Sequence, residues 1–472
     1  MRPKDVWRVL WGSGTGKAGV VFLGVLVAVS LFVLFTYPRD FGLHRWNNPA
    51  YWADNPKSAP PAWTRLLGAK GVPHRLLEAA PGPVAVTGQE ATLTTFSYEY
   101  SGVRPPTFIS FGLGEVRYRE LPLVITVVVD RPDGRSALLY RHIVPGPRPG
   151  ETGPYTRYAE TSFRALLSED PAVADNVASF MRQEFGLEVT PQRLRGRQAA
   201  ALFGTPEEGS EFQPLPGGYT FSVRVLAQDA GDSVGQVKLV LGGSTHGLMG
   251  TDAMGRDLAS GLLFGFPVAL AIGIITALVS TVIGTFLGIV SGYTGGRTDT
   301  LIQRSCDVLN NIPLLPILIF LIFILGQRLW LVVAILAFFG WPGLTIVTRS
   351  MVLQIRGGQL VESTRSLGAS KWRIMFRHIL FQIAPFVLAQ MIFFTPAAIL
   401  AEAGLSFLGL GDVSIPTWGQ ILEQGFQTGA VYLGYWWWVL PPGLLIVATA
   451  LTFVLLTLGL EPVVNPRLRS VR

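Results

Sequence analysis

The sequence predicts an all-α polytopic membrane protein of six transmembrane helices, interrupted once by an inserted β-rich α+β domain. Three observations predict it. Of 472 residues, 49% are hydrophobic and only 15% charged, with a positive mean hydropathy, a balance outside the soluble range. Several apolar runs approach or exceed the ~20 residues that cross a ~30 Å hydrocarbon core. A block of about 200 residues after the first run has no such stretch and reads as short strands between turns.

The first run is Ala18–Tyr37, behind Arg2, Lys4, Arg8 and Lys17. Phe35-Thr36-Tyr37-Pro38-Arg39 lacks a small-x-small cleavage site, so residues 1–40 read as a tail and an uncleaved span. Residues 41–245 are rich in Pro and Gly and balanced in charge. Val84–Val86, Thr92–Tyr98, Leu121–Val129 and Ser136–Val144 read as strands, the last two joined by the turn Arg131-Pro132-Asp133-Gly134. Thr161–Phe185 reads as a helix, broken near Pro171. Tyr219–Ala227 and Val234–Leu241 read as a second hairpin. The chain has a single cysteine, Cys306, so this domain must stand on its hydrophobic core without an internal disulfide. Residues 246–472 return to the membrane pattern, with spans near 263–291, 312–326, 329–349, 382–404 and 436–460.

Charge sets the topology. Residues 1–37 carry four Lys/Arg against one acid, residues 38–260 carry 22 against 23, and residues 261–472 carry 12 against seven. Segment 350–381 has five Lys/Arg and segment 405–435 has none. The positive-inside rule then puts both termini, 292–311 and 350–381 in the cytoplasm, and 38–260 and 405–435 outside. The basic excess lies in short tails and loops beside spans, which argues against nucleic acid as a partner and for the bilayer.

Two enzyme-like signatures fail. Gly12-Ser13-Gly14-Thr15-Gly16-Lys17 suggests a phosphate loop, but Trp11 stands where the first Gly belongs and Ala18 where Ser/Thr should follow the Lys. His44, His74, His142, His246 and His378 show no metal-ligand spacing, and nothing marks a nucleophile elbow. The expectation is no catalytic residue, no metal and no cofactor in this chain. Gly284, Gly288 and Gly292 recur every fourth residue on one helix face, where missing side chains let another helix come close.

A charged, helix-forming segment, 361–381, lies between two apolar runs and must sit in water. Glu362, Ser363, Thr364, Gly368, Ala369, Lys371, Arg373 and His378 are its candidate docking residues. It resembles the EAA loop of ABC importer permeases: Glu362 and Gly368 have the right separation, and Leu380 falls where Leu is expected. Ser363 and Thr364 replace two alanines, and Phe381 replaces a proline. His246 to Asp257 resembles the signature before the second span of dipeptide/oligopeptide permeases, with Met249 as one extra residue. Ser291–Asp299, Asp307 with Asn310–Pro313, Glu402–Gly411 and Pro416–Gln420 match further elements. The chain is similar to the C-type permease subunit of the dipeptide/oligopeptide/nickel ABC importer family, whose members usually have only a short external segment where this chain carries 41–245.

The resemblance implies a type I importer permease that conducts peptides, nickel chelates or oligosaccharides and catalyses no covalent reaction. It implies a B-type permease partner, two ABC ATPases that bind the ATP and Mg, an extracytoplasmic solute-binding protein, and residence in the cell's inner or plasma membrane. Asp252, Arg256, Asp257, Glu402 and Trp418 are candidate outer gate or loop residues. Glu402 is ionisable at membrane depth, which points to function; its plainer reading is a hydrogen bond to the Gly404–Gly411 turn. For Asp252, Arg256 and Asp257 the plainer reading is local ion pairing. A receptor or scaffold using the outer domain is the competing class, and it would have no need of an EAA-like loop.

Overall fold

The computed structural model describes residues 7, 10–68, 71–85, 87–102, 104–207 and 212–464. Arg2, Lys4, Arg8, Val86 and the end of the C-terminal segment lie outside them. The chain forms two compact units, residues 1–49 with 258–472, and residues 50–257. Helix α1 (Gly14–Thr36) opens the first; the Ser13 side chain caps it by accepting from the Gly16 N–H at 3.0 Å.

The second unit holds strands β1 (Arg75–Ala79), β2 (Gly82–Pro83), β3 (Glu90–Tyr100), β4 (Ile109–Tyr118), β5 (Val124–Asp130), β6 (Ser136–Ile143), β7 (Tyr155–Arg157) and β8 (Phe163–Leu166). Helix α2 (Pro171–Phe185) follows, then β9 (Gly204–Pro206), β10 (Phe212–Pro214), β11 (Gly217–Leu226) and β12 (Ser233–Leu241). One sheet runs β3-β11-β5-β6. The other runs β1-β12-β4-β7, with β2 also on β12 and β8 on β4, and β9 and β10 pair separately. Phe111 and Leu113 of β4, Val127 and Val129 of β5, Phe221 and Val223 of β11, and Val237 and Leu239 of β12 meet in one core. Val173, Val177, Phe180 and Met181 of α2 close it. Each such side chain contributes about 1.5–3 kcal/mol on burial, which is how the domain stands without a disulfide.

Three expectations are corrected here. The helix starts at Pro171, not Thr161. Asp170 caps it, accepting from the Ala172 N–H at 2.8 Å with Pro at the first turn, while Phe163–Leu166 hydrogen-bonds to β4 as a strand. Strands β11 and β12 do not form a hairpin, because they belong to different sheets. Their connection is held by Asp232, which is buried and accepts from the Arg119 and Asp229 N–H groups at 3.1 and 3.2 Å. Those bonds carry the chain across instead of reversing it. The strand expected at Val84–Val86 is displaced to Gly82–Pro83.

The two chain ends of this unit are stitched together. Ser58 N–H donates to the Asp252 carbonyl (2.8 Å), Thr251 to Ala59 (2.8 Å), His246 to Pro60 (2.9 Å) and Ala62 to Gly247 (2.9 Å).

The first unit continues with α3 (Leu258–Thr294), α4 (Gly296–Asn311), α5 (Leu314–Leu325), α6 (Leu329–Ile355), α7 (Gln359–Ser366), α8 (Lys371–Phe407), α9 (Trp418–Gln427) and α10 (Trp436–Val464). Among the described residues, five helices are long and apolar enough to cross a membrane, or six if α4 and α5 count as one broken span bent by 83°. A separate span at 312–326 is therefore corrected: α5 has 12 residues, about 18 Å at 1.5 Å each, short of a ~30 Å core. The close crossing of α3 and α6 rests on Gly284, Gly288 and Gly292. A Cβ on Gly288 would sit 2.6 Å from the Thr348 Cβ, and one on Gly292 2.8 Å from the Val352 Cβ.

Candidate functional site

Helix α7 ends because Gly368 takes a left-handed φ of +79°, where a side chain is disfavoured. The Gly368 N–H donates to the Arg365 carbonyl at 3.0 Å and the Ala369 N–H to the Thr364 carbonyl at 3.2 Å. Ser370 then caps α8, accepting from the Arg373 N–H at 3.3 Å. Ser363 and Thr364 fold their hydroxyls back onto the Gln359 and Leu360 carbonyls, so both stay compact where the family pattern has alanine.

This short helix is anchored on one side only. Val361, Ile374, Met375 and Ile379 are buried against Ile289 and Val352. Glu362, Arg365, Lys371 and Arg373 remain exposed. His378 is half-buried. A cleft of about 480 Å³ opens here, lined by Tyr293, Arg356, Val361, Glu362, Arg365 and Lys371. Three cations and one carboxylate around a mostly polar cleft make a surface suited to an acidic protein partner.

Asp299 of α4 accepts from Arg349 of α6 through both oxygens, each at 2.5 Å, and from the Ser291 hydroxyl of α3 at 2.5 Å. Arg356 adds a bond to the Gly292 carbonyl at 3.1 Å. This clamp joins α3, α4 and α6, and Arg356, which lines the cleft, adds to it. Arg349 was not singled out from the sequence, although it is the one charge in the otherwise apolar α6, and such a residue signals a partner.

The Glu402 carboxylate is buried and accepts from the Ser406 hydroxyl at 2.6 Å. Trp418 donates its indole N–H to the Leu262 carbonyl at 2.8 Å, and its pyrrole ring packs against Gly265. Gly419 packs against the Ala403 backbone, so Glu402 and Trp418 share one packed region of α3, α8 and α9. Asp252, Arg256 and Asp257 fall in the other unit. Asp252 (0% exposed) and Arg256 (3%) form a buried ion pair, and Asp252 also accepts from the Met254 and Arg256 N–H groups at 2.8 and 2.9 Å. Thr251 and Asp257 form a backbone bridge.

Also in that unit, the His74 and His246 rings meet edge to face at 5.2 Å. Burial first, and the charge of His246 second, push His74 down to about 4. Asp54 lies beside Lys238 (2.7 Å) and Arg164 (2.8 Å). Burial raises its carboxyl, but those two partners outweigh it and hold Asp54 below the usual range. Among the described residues no three His, Cys, Asp or Glu side chains gather as a metal site.

Comparison with known proteins bears on the membrane unit. A family profile described as "Binding-protein-dependent transport system inner membrane component" matches residues 284–470. The chain is 35% identical to the dipeptide transport system permease protein DppC of Bacillus subtilis, over 47% of this chain and 68% of that one. It is 35% identical to the glutathione transport system permease protein GsiD of Pectobacterium atrosepticum, over 52% and 81%. It is 32% identical to the oligopeptide transport system permease protein OppC of Bacillus subtilis, over 47% and 72%. A solved structure of the MetNI methionine ABC transporter, inward facing, aligns at 19% identity and a TM-score of 0.34, over 44% of this chain and 94% of that one.

Proposed function

The chain belongs to the family of binding-protein-dependent transport system inner membrane components, and from that premise we propose that it is the permease half of an ATP-driven importer of di- or oligopeptides. The observation that carries the coupling is the basic cleft over α7, with its one-sided anchor and Gly368 turn. The peptide substrate rests on the names of the relatives.

In this reading two ATPases seat α7 and the start of α8 in their grooves. Glu362, Ser363, Thr364, Gly368, Ala369, Lys371, Arg373 and His378 form the contact. ATP and Mg belong to those partners, and this chain performs no covalent step. A B-type permease completes the pathway. Both termini face the cytoplasm and residues 38–260 face outside, where the domain spanning 41–245 meets the solute-binding protein or the B-type partner. ATP-driven closure moves α7, and the clamp on Asp299 transmits that displacement to α3 and α6, exchanging two packed arrangements of the bundle.

Affinity purification of the full chain from its native membrane tests this. Two ATPases should co-purify, and the binding protein recovered with them should carry peptide. Glu362→Lys and Gly368→Trp should each release the ATPases and abolish uptake while the chain stays in the membrane. Retention of both ATPases with normal uptake in both variants sinks the coupling assignment; a non-peptide ligand on the binding protein sinks the substrate.

A further inference from the structure

Within residues 50–257 most apolar side chains are drawn into one core, and the most exposed of the rest fall in one place. Leu66 is 88% exposed, Leu67 78% and Leu248 72%, the three most exposed large apolar side chains among the described residues of that unit. They are not scattered. Leu66 and Leu67 end the 3-10 helix Ala62–Leu67, and three residues per turn put Trp63 and Leu66 one above the other. The Trp63 indole N–H donates to the Leu248 carbonyl at 2.8 Å, and the Ala62 N–H to the Gly247 carbonyl at 2.9 Å. Those bonds hold the helix and Leu248 side by side. Arg65, also exposed, stands between Trp63 and Leu66 in the sequence.

A contiguous apolar patch of this kind needs an occupant. Chain continuity supplies one. Leu248 precedes Leu258, the first residue of α3, by ten residues. Ten residues reach at most about 35 Å, and here they are folded back, with the Gly255 N–H donating to the Asp252 carbonyl at 3.0 Å. Trp63 lies far along the chain from α1, but the stitched pair and its own bond to the Leu248 carbonyl hold it beside Leu248. The Leu248 segment therefore runs within ten residues into a membrane helix, and it keeps the Ala62–Leu67 helix beside it. Tryptophan with its N–H satisfied, leucines, and a long cation are the side chains that settle at the boundary between headgroups and acyl chains.

We propose that Trp63, Leu66, Leu67 and Leu248 form a lipid-contact patch that seats the outer domain in the headgroup–acyl boundary of the bilayer, with Arg65 reaching the lipid phosphates. The patch would fix the domain's height and tilt over the membrane, independently of what the transporter carries.

Nitroxide depth measurement on the full chain in lipid nanodiscs tests it. Leu66→Cys and Leu248→Cys are labelled singly, with Asp175→Cys on the exposed face of α2 as the water control; native Cys306 is fully buried, and the unlabelled background is read on the parent chain. Both test positions should collide more with oxygen and less with a water-soluble nickel chelate than the control, at a depth of about 5–10 Å below the phosphates. Nickel accessibility equal to the control at both positions overturns the proposal, since the patch is then in water. Protection from oxygen and nickel alike also overturns it, since a protein surface then covers the patch.

Discussion

Arg349 and Asp299 show how one pair of side chains can carry a helix junction. Two parallel N–H···O bonds at 2.5 Å hold α4 to α6, and both groups are largely shielded from water. Charge-assisted bonds of this kind contribute roughly 1.5–3 kcal/mol, and removing one partner leaves the other charge unmatched. Asp299→Ala and Arg349→Ala should each lower thermal stability in detergent. The double variant should lose less than the sum, with a coupling energy of about 1–3 kcal/mol. Additive losses would show that the pair does not act as a clamp. At this scale the sequence was half legible. Asp299 stood in a recognisable Gly-Tyr-x-Gly-Gly-x-x-Asp segment, but its partner lies 50 positions on and no spacing rule links them. Asp54 was likewise invisible, because its cations come from β8 and β12, which only the fold brings together.

At the scale of elements, the face of α3 that meets α6 is the clearest case of sequence dictating packing. Glycines at every fourth position clear a groove, and Trp341, Thr345, Thr348 and Val352 lie in it. Gly288→Leu must push the Thr348 backbone outward, since even a Cβ arrives at 2.6 Å. Overpacking of this size costs about 1–3 kcal/mol. The expected outcome is a lower melting temperature and reduced uptake, with Gly24→Leu on the exposed face of α1, where a Cβ meets nothing within 4 Å, as a comparison that leaves the α3–α6 contact intact. Equal effects at the two sites would refute the close-packing account. The membrane helices were readable because each carries its own signal, a long apolar run. The strands were less so. Strand β4 contains Gly112 and Gly114, which weaken its period-2 signal, yet those glycines face Phe163 and Gln236 across crowded pairings. The jump of β11 and β12 into different sheets depends on Asp232 finding partners far away in sequence, which no local pattern encodes.

At the scale of the whole molecule, pH should act on the β-rich unit of residues 50–257. His74 titrates near 6.5 when unfolded and near 4 when folded, so the folded state resists protonation. As pH falls through 6.5 the unfolded chain takes up the proton first, and stability declines until the folded form also titrates, near pH 4. Because His74 keeps partial contact with solvent, the full loss is discounted to roughly 2 kcal/mol. His246 is also pushed down by burial and adds in the same direction. Hydrogen exchange at β1 and β12, corrected for intrinsic rates, should show lost protection between pH 6.5 and 4, and His74→Gln should flatten that loss. An unchanged slope in the variant would remove His74 from the account.

The stitched ends of the β-rich unit have a consequence for how this chain tolerates so large an insertion. Closing a flexible loop costs more as it lengthens, about 0.6 kcal/mol per doubling. Because Ser58 and Ala59 are bonded to Asp252 and Thr251, the stretch that must be closed between α1 and α3 is shortened roughly eightfold, which saves about 2 kcal/mol of chain entropy. To the helices that flank it, the domain acts as a connection of about 28 residues rather than of more than 200. A graft of this kind can grow, shrink or diverge behind its stitch without the membrane helices having to adjust.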